Sequence, residues 1–131
     1  MRKILLVDDD KGILKTLKRI LKKYKLQVAT AESAEEALEL LQREPHDVVL
    51  TDYEMPGQNG VWLLEQVRQL HPAVRRLLTS GAGIEPDNYL RSGLVEKFLE
   101  KPADVSSILE SLKGGFSAVE EITSDPEHGL A

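Results

Sequence analysis

The sequence predicts an α/β protein built as a doubly wound, five-stranded parallel sheet, and three observations carry that prediction. Short continuous apolar runs, residues 4–7 and 48–50 first among them, are too short for helices and read as strands buried on both faces. Between successive runs lie segments with apolar residues at helical spacing, so strand and helix alternate from the first residues onward. The polar residues Asp8, Asp52, Thr79 and Lys101 fall at the carboxyl ends of the expected strands, which is the rim where such sheets bind ligands.

Ile4-Leu5-Leu6-Val7 follows Arg2 and Lys3 and precedes Asp8-Asp9-Asp10, so it reads as a central strand ending in three acids. Over residues 11–24, Ile13, Leu14, Leu17, Ile20, Leu21 and Tyr24 recur at helical spacing. Lys11, Lys15, Lys18, Arg19, Lys22 and Lys23 fill most of the other positions, which predicts an amphipathic helix with a basic outer face. Leu26, Val28 and Thr30 alternate with Gln27 and Ala29 and predict a short second strand. Ser33 and Glu36 form a capping box ahead of Ala37, Leu38 and Leu41, so the second helix starts about Ala34 and ends near Pro45.

The third strand, Val48-Val49-Leu50, presents Asp52 to a loop in which Pro56 holds Met55 extended and Gly57, Asn59 and Gly60 permit turns. Val61, Leu64, Val67, Arg68 and Leu70 define a third helix, closed by Pro72. Residues 74–79 and 95–100 make the fourth and fifth strands. Between them Gly81, Gly83 and Pro86 leave only residues 87–92 for a short fourth helix. Asp104 caps a last helix with Val105, Ile108, Leu109 and Leu112 on one face, ended by Gly114-Gly115.

A length of 131 residues suits one domain, residues 1–113, with an acidic tail or linker over 114–131. A charged fraction of 30% and a net charge of -5 give no global argument for nucleic acid or membrane binding. The absence of cysteine excludes disulfides and thiolate chemistry, so a metal would need oxygen ligands or His46, His71 and His128. The histidines stand at unrelated spacings beside turns or in the tail, which argues against a metal role. No apolar run approaches the roughly 20 residues of a membrane-spanning helix, and residues 4–7 are too short for a signal-peptide core. A cytoplasmic location is expected.

The predicted topology gathers Asp8, Asp9, Asp52, Thr79 and Lys101 at one rim. Crowded carboxylates repel and are kept ionised most simply by a divalent cation. Magnesium is the expected ion, because it binds one or two carboxylates and keeps positions for water or a phosphoryl oxygen. Lys101 by its charge and Thr79 by its hydroxyl can then bind the remaining phosphoryl oxygens. This is a constellation for phosphoryl transfer to or from a carboxylate.

From about Lys3 to Leu112 the chain resembles the receiver domains of two-component response regulators. The resemblance rests on Ile4-Leu5-Leu6-Val7-Asp8-Asp9-Asp10, Asp52-Tyr53-Glu54-Met55-Pro56 with Gly60, Leu77-Leu78-Thr79-Ser80, and Phe98-Leu99-Glu100-Lys101-Pro102, in this order and spacing. It implies a flavodoxin-like strand order 2-1-3-4-5. It implies that Asp52 accepts phosphate from a phosphohistidine on a sensor histidine kinase or phosphotransfer protein, and that the chain catalyses only its own phosphorylation and dephosphorylation. Asp9, Asp52 and the backbone carbonyl of Glu54 would hold Mg2+ or Mn2+, with Asp8 assisting through water. Thr79 would move toward the phosphoryl group and Phe98 would turn inward as the aromatic switch. Ser80 fits a position that leaves room for the phosphoryl group, and Lys101-Pro102 looks like the family's cis peptide. Glu54 and Gly81 lie where the family tunes self-dephosphorylation. The basic first helix would help dock the phosphodonor. The fourth helix, fifth strand and fifth helix would face an output domain, a target protein or a second copy of the chain.

Plainer readings attach to single residues. Asp10 is expected as a helix cap and not as a ligand, and Trp62, outside the apolar pattern of its helix, as a local packing contact. Two other functional classes compete with the receiver. A small aspartyl-phosphate hydrolase is suggested by the aspartates of Asp8-Asp9-Asp10, but its family wants a threonine where Gly12 stands, and it leaves Asp52 unexplained. A receiver-like scaffold acting without phosphorylation would be expected to lack an acid, the threonine or the lysine, and all are present.

Overall fold

Five parallel strands form the centre of the computed structural model, which describes residues 2–81 and 83–113. They are β1 (Arg2–Val7), β2 (Leu26–Ala31), β3 (Val48–Asp52), β4 (Arg75–Ser80) and β5 (Lys97–Glu100), in the order β2-β1-β3-β4-β5. The helices α1 (Lys11–Leu21), α2 (Ala34–Arg43), α3 (Gly60–Leu70), α4 (Asp87–Arg91) and α5 (Val105–Leu112) follow the strands in turn. The doubly wound fold and its strand order are those expected. The tail expected at 114–131 lies outside the described residues. Among those described, no helix is long and apolar enough to cross a membrane.

Side chains alternate across each strand, and the alternation divides the core in two. Ile4, Leu6, Val48, Leu50, Leu77 and Leu99 point to one face, where Leu14 and Leu21 of α1 and Ile108 and Leu112 of α5 pack on them. Leu5, Val7, Val49 and Leu78 point to the other, under Ala34, Ala37 and Leu41 of α2 and Leu63, Leu64 and Val67 of α3. Strand order reverses direction between β1 and β3, so the crevice for a ligand opens there.

Helix starts follow their caps. Asp10 accepts from the N–H groups of Gly12 and Ile13, Ser33 from Glu36, Asn59 from Trp62 and Asp104 from Ser107. Asp10 is therefore a cap, as expected.

Some limits differ from those expected. Helix α1 stops at Leu21; Lys22–Tyr24 tightens into a 3-10 turn, and Lys25 takes a left-handed conformation at φ 62 to enter β2. Val74 and Val95 are buried but lie outside the strands, because their N–H groups bond to His71 and Tyr89 in turns. Strand β4 runs one residue past Thr79 to Ser80. Ile13, on the expected apolar side of α1, is 39% exposed. Trp62 is half-buried against the α2–α3 side of the core, which is the packing contact expected of it.

Candidate phosphoacceptor site

The site continues the apolar stripes of one sheet face. Along β1 the inward positions run Ile4, Leu6, and then Asp8; along β3, Val48, Leu50, Asp52; along β4, Leu77, Thr79; along β5, Leu99, Lys101. Each stripe turns from apolar to polar at the carboxyl end of its strand, on the side covered by α1 and α5. Parallel pairing puts Thr79 directly beside Asp52 and Leu99 beside Thr79. Strand register and alternation thus bring Asp8, Asp52, Thr79 and Lys101 to one rim, and Asp9 joins them from the turn after β1.

The Lys101 ammonium bridges two acids, 3.1 Å from Asp8 Oδ2 and 3.0 Å from Asp52 Oδ2. Asp8 is held at its other oxygen by the Asp10 N–H at 2.9 Å. Carboxylate oxygens of Asp8, Asp9 and Asp52 lie within 4.8 Å of one another. Asp8 and Asp52 are each only 6% exposed, whereas Asp9 is open to solvent. The peptide bond after Lys101, to Pro102, is cis.

Three carboxylates and one ammonium leave two negative charges without compensation among these groups. Burial pushes the Asp52 carboxyl above its ordinary range, and the hydrogen bond and charge of Lys101 only partly oppose it. Burial would lower the Lys101 pKa, but the hydrogen bonds and charges of Asp52 and Asp8 together outweigh it and raise the group above its usual value. One lysine shared by two acids is itself firmly charged yet does not fully offset the burial of Asp52. An all-oxygen donor set that lacks two positive charges suits a hard divalent cation.

The carbonyl of Asp52 is also held closely. A Cβ on Gly60, at the start of α3, would lie 2.2 Å from the Asp52 carbonyl oxygen and 3.1 Å from Leu78 Cδ1. The Gly60 N–H reaches the Tyr53 carbonyl at 2.9 Å. Glu54 is exposed in the loop between β3 and α3. Phe98 lies on the opposite face of β5 from Lys101, half-buried against the α2–α3 side of the core. Ser80, next to Thr79, is fully buried and its hydroxyl has no hydrogen-bond partner.

A groove of about 770 Å³ opens from this cluster along α1, lined by Ile13, Leu17, Pro102, Ala103 and Ile108. Reading the sequence did not find it, since apolar spacing on a helix looks the same whether the face meets a core or a groove. Gly12 and Ala103, small residues at its rim, were the available signal.

A sequence profile of the response regulator receiver domain matches residues 4–113. The transcriptional regulatory protein CpxR of Escherichia coli K12 is 39% identical over 103 residues, covering 78% of this chain and 44% of that one. The transcriptional regulatory protein GlrR of the same organism is 34% identical over 110 residues, covering 83% of this chain and 25% of that one. The chain therefore spans a quarter to less than half of these relatives. Among solved structures, the response regulator protein TrrA of Thermotoga maritima, in complex with Mg2+ and BeF, superposes with a TM-score of 0.78 at 28% identity, covering 88% of this chain and all of that one.

Proposed function

The chain belongs to the response regulator receiver domain family, and we propose that it is a phosphoacceptor module in which Asp52 takes a phosphoryl group from a phosphohistidine. The observation that carries this reading is the Lys101 ammonium placed between Asp8 and Asp52, beside an acid cluster short of positive charge. Asp9, Asp52 and the Glu54 backbone carbonyl would hold Mg2+ or Mn2+, with Asp8 assisting. A bound ion supplies the missing charge that lets a phosphoryl group approach the carboxylates.

One Asp52 carboxylate oxygen would form a bond to phosphorus as the bond from phosphorus to the phosphohistidine ring nitrogen breaks, the electron pair leaving with the donor's imidazole. Lys101, already 3.0 Å from Asp52, transfers its ion pair to a phosphoryl oxygen, and the Thr79 hydroxyl donates to another. Leu6, Leu50 and Leu77, buried on the same face beneath the site, exclude bulk water from below. Phe98 then packs inward as Thr79 moves, which changes the face formed by α4, β5 and α5. The chain acts on no separate substrate beyond its own phosphorylation and dephosphorylation.

The donor is a sensor histidine kinase or a phosphotransfer protein in the cytoplasm, and residues 1–113 are the receiver. The altered face serves an output domain, a protein target or a second copy. CpxR and GlrR, both transcriptional regulatory proteins, are longer than this chain, which supports an output beyond the receiver in proteins of that kind.

Intact mass after incubation with magnesium and acetyl phosphate tests the reading. A single hydroxylamine-labile phosphoryl adduct is expected on the wild type and none on Asp52→Asn. An unmodified wild type, with acetyl phosphate and with its kinase alike, would instead support a scaffold acting without phosphorylation.

A further inference from the structure

We infer that the groove beside Asp52 is a binding site for the apolar chain of an acyl phosphate, so that the protein takes phosphoryl directly from medium-chain acyl phosphates in preference to short ones. The inference rests on the phosphoacceptor reading of Asp52 and adds a donor class with the residues that select it.

The groove has two chemically different ends. Its inner end is formed by Asp52, Thr79 and Lys101, the groups that would receive a phosphoryl group. Its body is mostly apolar, walled by Ile13, Thr16 and Leu17 of α1, by Pro102 and Ala103 ahead of α5 and by Ile108 within it. A volume of about 770 Å³ falls within the range of small-molecule sites. The occupant that matches both ends carries a phosphoryl group at one terminus and a hydrocarbon at the other.

Local sequence keeps the groove open. Ile13 is 39% exposed although it sits on the apolar side of an amphipathic helix, and the small residues Gly12 and Ala103 are among those that line the groove with it. Gly12, one residue earlier, leaves the rim without a side chain. A ligand chain along Ile13 and Leu17 buries the apolar surface that α1 leaves uncovered.

The reaction balances without a redox partner. An Asp52 carboxylate oxygen forms a bond to phosphorus while the bond from phosphorus to the acyl carboxylate oxygen breaks. The electron pair leaves with the fatty carboxylate, so no proton is gained or lost by the reacting pair. Hydrocarbon beyond the carboxylate remains in the groove throughout, so its burial strengthens donor binding.

Each methylene removed from water favours binding by a factor of about three to four. With part of an eight-carbon chain covered, octanoyl phosphate is expected to reach half-maximal phosphorylation of Asp52 at a concentration about tenfold or more below that of acetyl phosphate. The two donors are compared by intact mass at equal magnesium, on wild type, Ile13→Glu and Ala103→Glu. The octanoyl-to-acetyl ratio should fall toward one in both variants. Methyl NMR with octylphosphonate, an unreactive analogue, should shift the resonances of Ile13, Leu17 and Ile108 before those of α2 and α3.

Equal half-saturating concentrations for the two donors would overturn the inference while leaving Asp52 as acceptor, and would assign the groove to apolar side chains of a protein donor. A chain-length advantage unchanged in both variants would overturn it too, since the chain would then lie elsewhere. Failure of both donors to modify Asp52 would overturn the inference, and failure with the kinase as well would remove the phosphoacceptor reading.

Discussion

Gly60 shows at the scale of one residue how the acceptor strand is held. Its backbone has no positive φ, so the conformational freedom of glycine is not what the position requires. It requires space: any Cβ would stand 2.2 Å from the Asp52 carbonyl oxygen, a backbone atom that cannot swing aside. Gly60→Ala must push α3 away from β3 or tilt the Asp52 peptide, at a cost of about 1–3 kcal/mol by analogy with overpacked cores. A lower urea midpoint together with slower acetyl phosphate labelling of Asp52 is the expected outcome. Lower stability with labelling unchanged would show that this contact does not set the position of the acceptor. The sequence marked Gly60 as a turn former and as part of the motif after Asp52, but not as a close approach, because that depends on which backbone is folded against it. Asp8, Asp52, Thr79 and Lys101 were legible for the opposite reason: each ends an apolar strand, and strand ends can be read locally.

The elements are joined by contacts that local patterns do not announce. Arg75, first residue of β4, donates from Nη1 to the Leu112 carbonyl at 2.8 Å and from Nη2 to the Ser111 carbonyl at 2.9 Å. Its Nε meets Glu96 Oε1 at 2.7 Å, just ahead of β5. One guanidinium thus closes the last turn of α5, whose carbonyls lack partners within the helix, and ties it to two strands. Hydrogen bonds from charged groups contribute about 1.5–3 kcal/mol each in favourable cases, and Arg75→Met should cost about 2 kcal/mol in a denaturant titration. The site lies at the other end of the strands, so the initial rate of Asp52 labelling should be that of the wild type. A matching loss of labelling would mean that α5 transmits the damage to Lys101. These partners stand 36 and 37 residues away in sequence, beyond any periodicity. The same limit explains Val74 and Val95: hydrophobicity announced strand, but a strand ends where pairing ends, and their N–H groups turn back to His71 and Tyr89. On α1 the 3.6-residue pattern located the helix correctly and placed Ile13 on its apolar side, yet could not distinguish a face covered by core from one that lines a groove.

Across the whole molecule the titratable groups divide into those that face water and those that the fold has withdrawn from it. His46 belongs to the second group, 7% exposed between α2 and β3, with Nδ1 3.0 Å from the Glu44 carbonyl and Nε2 buried without a partner. A carbonyl oxygen only accepts, so Nδ1 carries the proton and Nε2 is bare in the neutral ring. Burial lowers the His46 pKa most, against the raising effects of the Glu44 carbonyl and the charges of Glu44 and Asp47; the nearby Lys3 charge lowers it further. The folded chain therefore binds this proton later than the unfolded chain as pH falls. Between the unfolded value, about 6.5, and the lowered folded one, the unfolded state holds more protons, and stability declines with falling pH by no more than about 1.4 kcal/mol per pH unit. Asp52 acts with the opposite sign, because its raised pKa lets the folded state bind a proton first. Glu44, whose carboxyl Lys3 holds below its usual range, loses its contribution only as pH falls through the carboxylate range. The difference between wild type and His46→Asn, which keeps a donor for the Glu44 carbonyl, isolates the histidine from both. Urea midpoints measured from pH 7.5 down to 5.5 should fall more steeply in the wild type than in the variant. Parallel curves would show that His46 takes its proton equally well in the folded chain, by moving out to solvent or by finding a partner for Nε2.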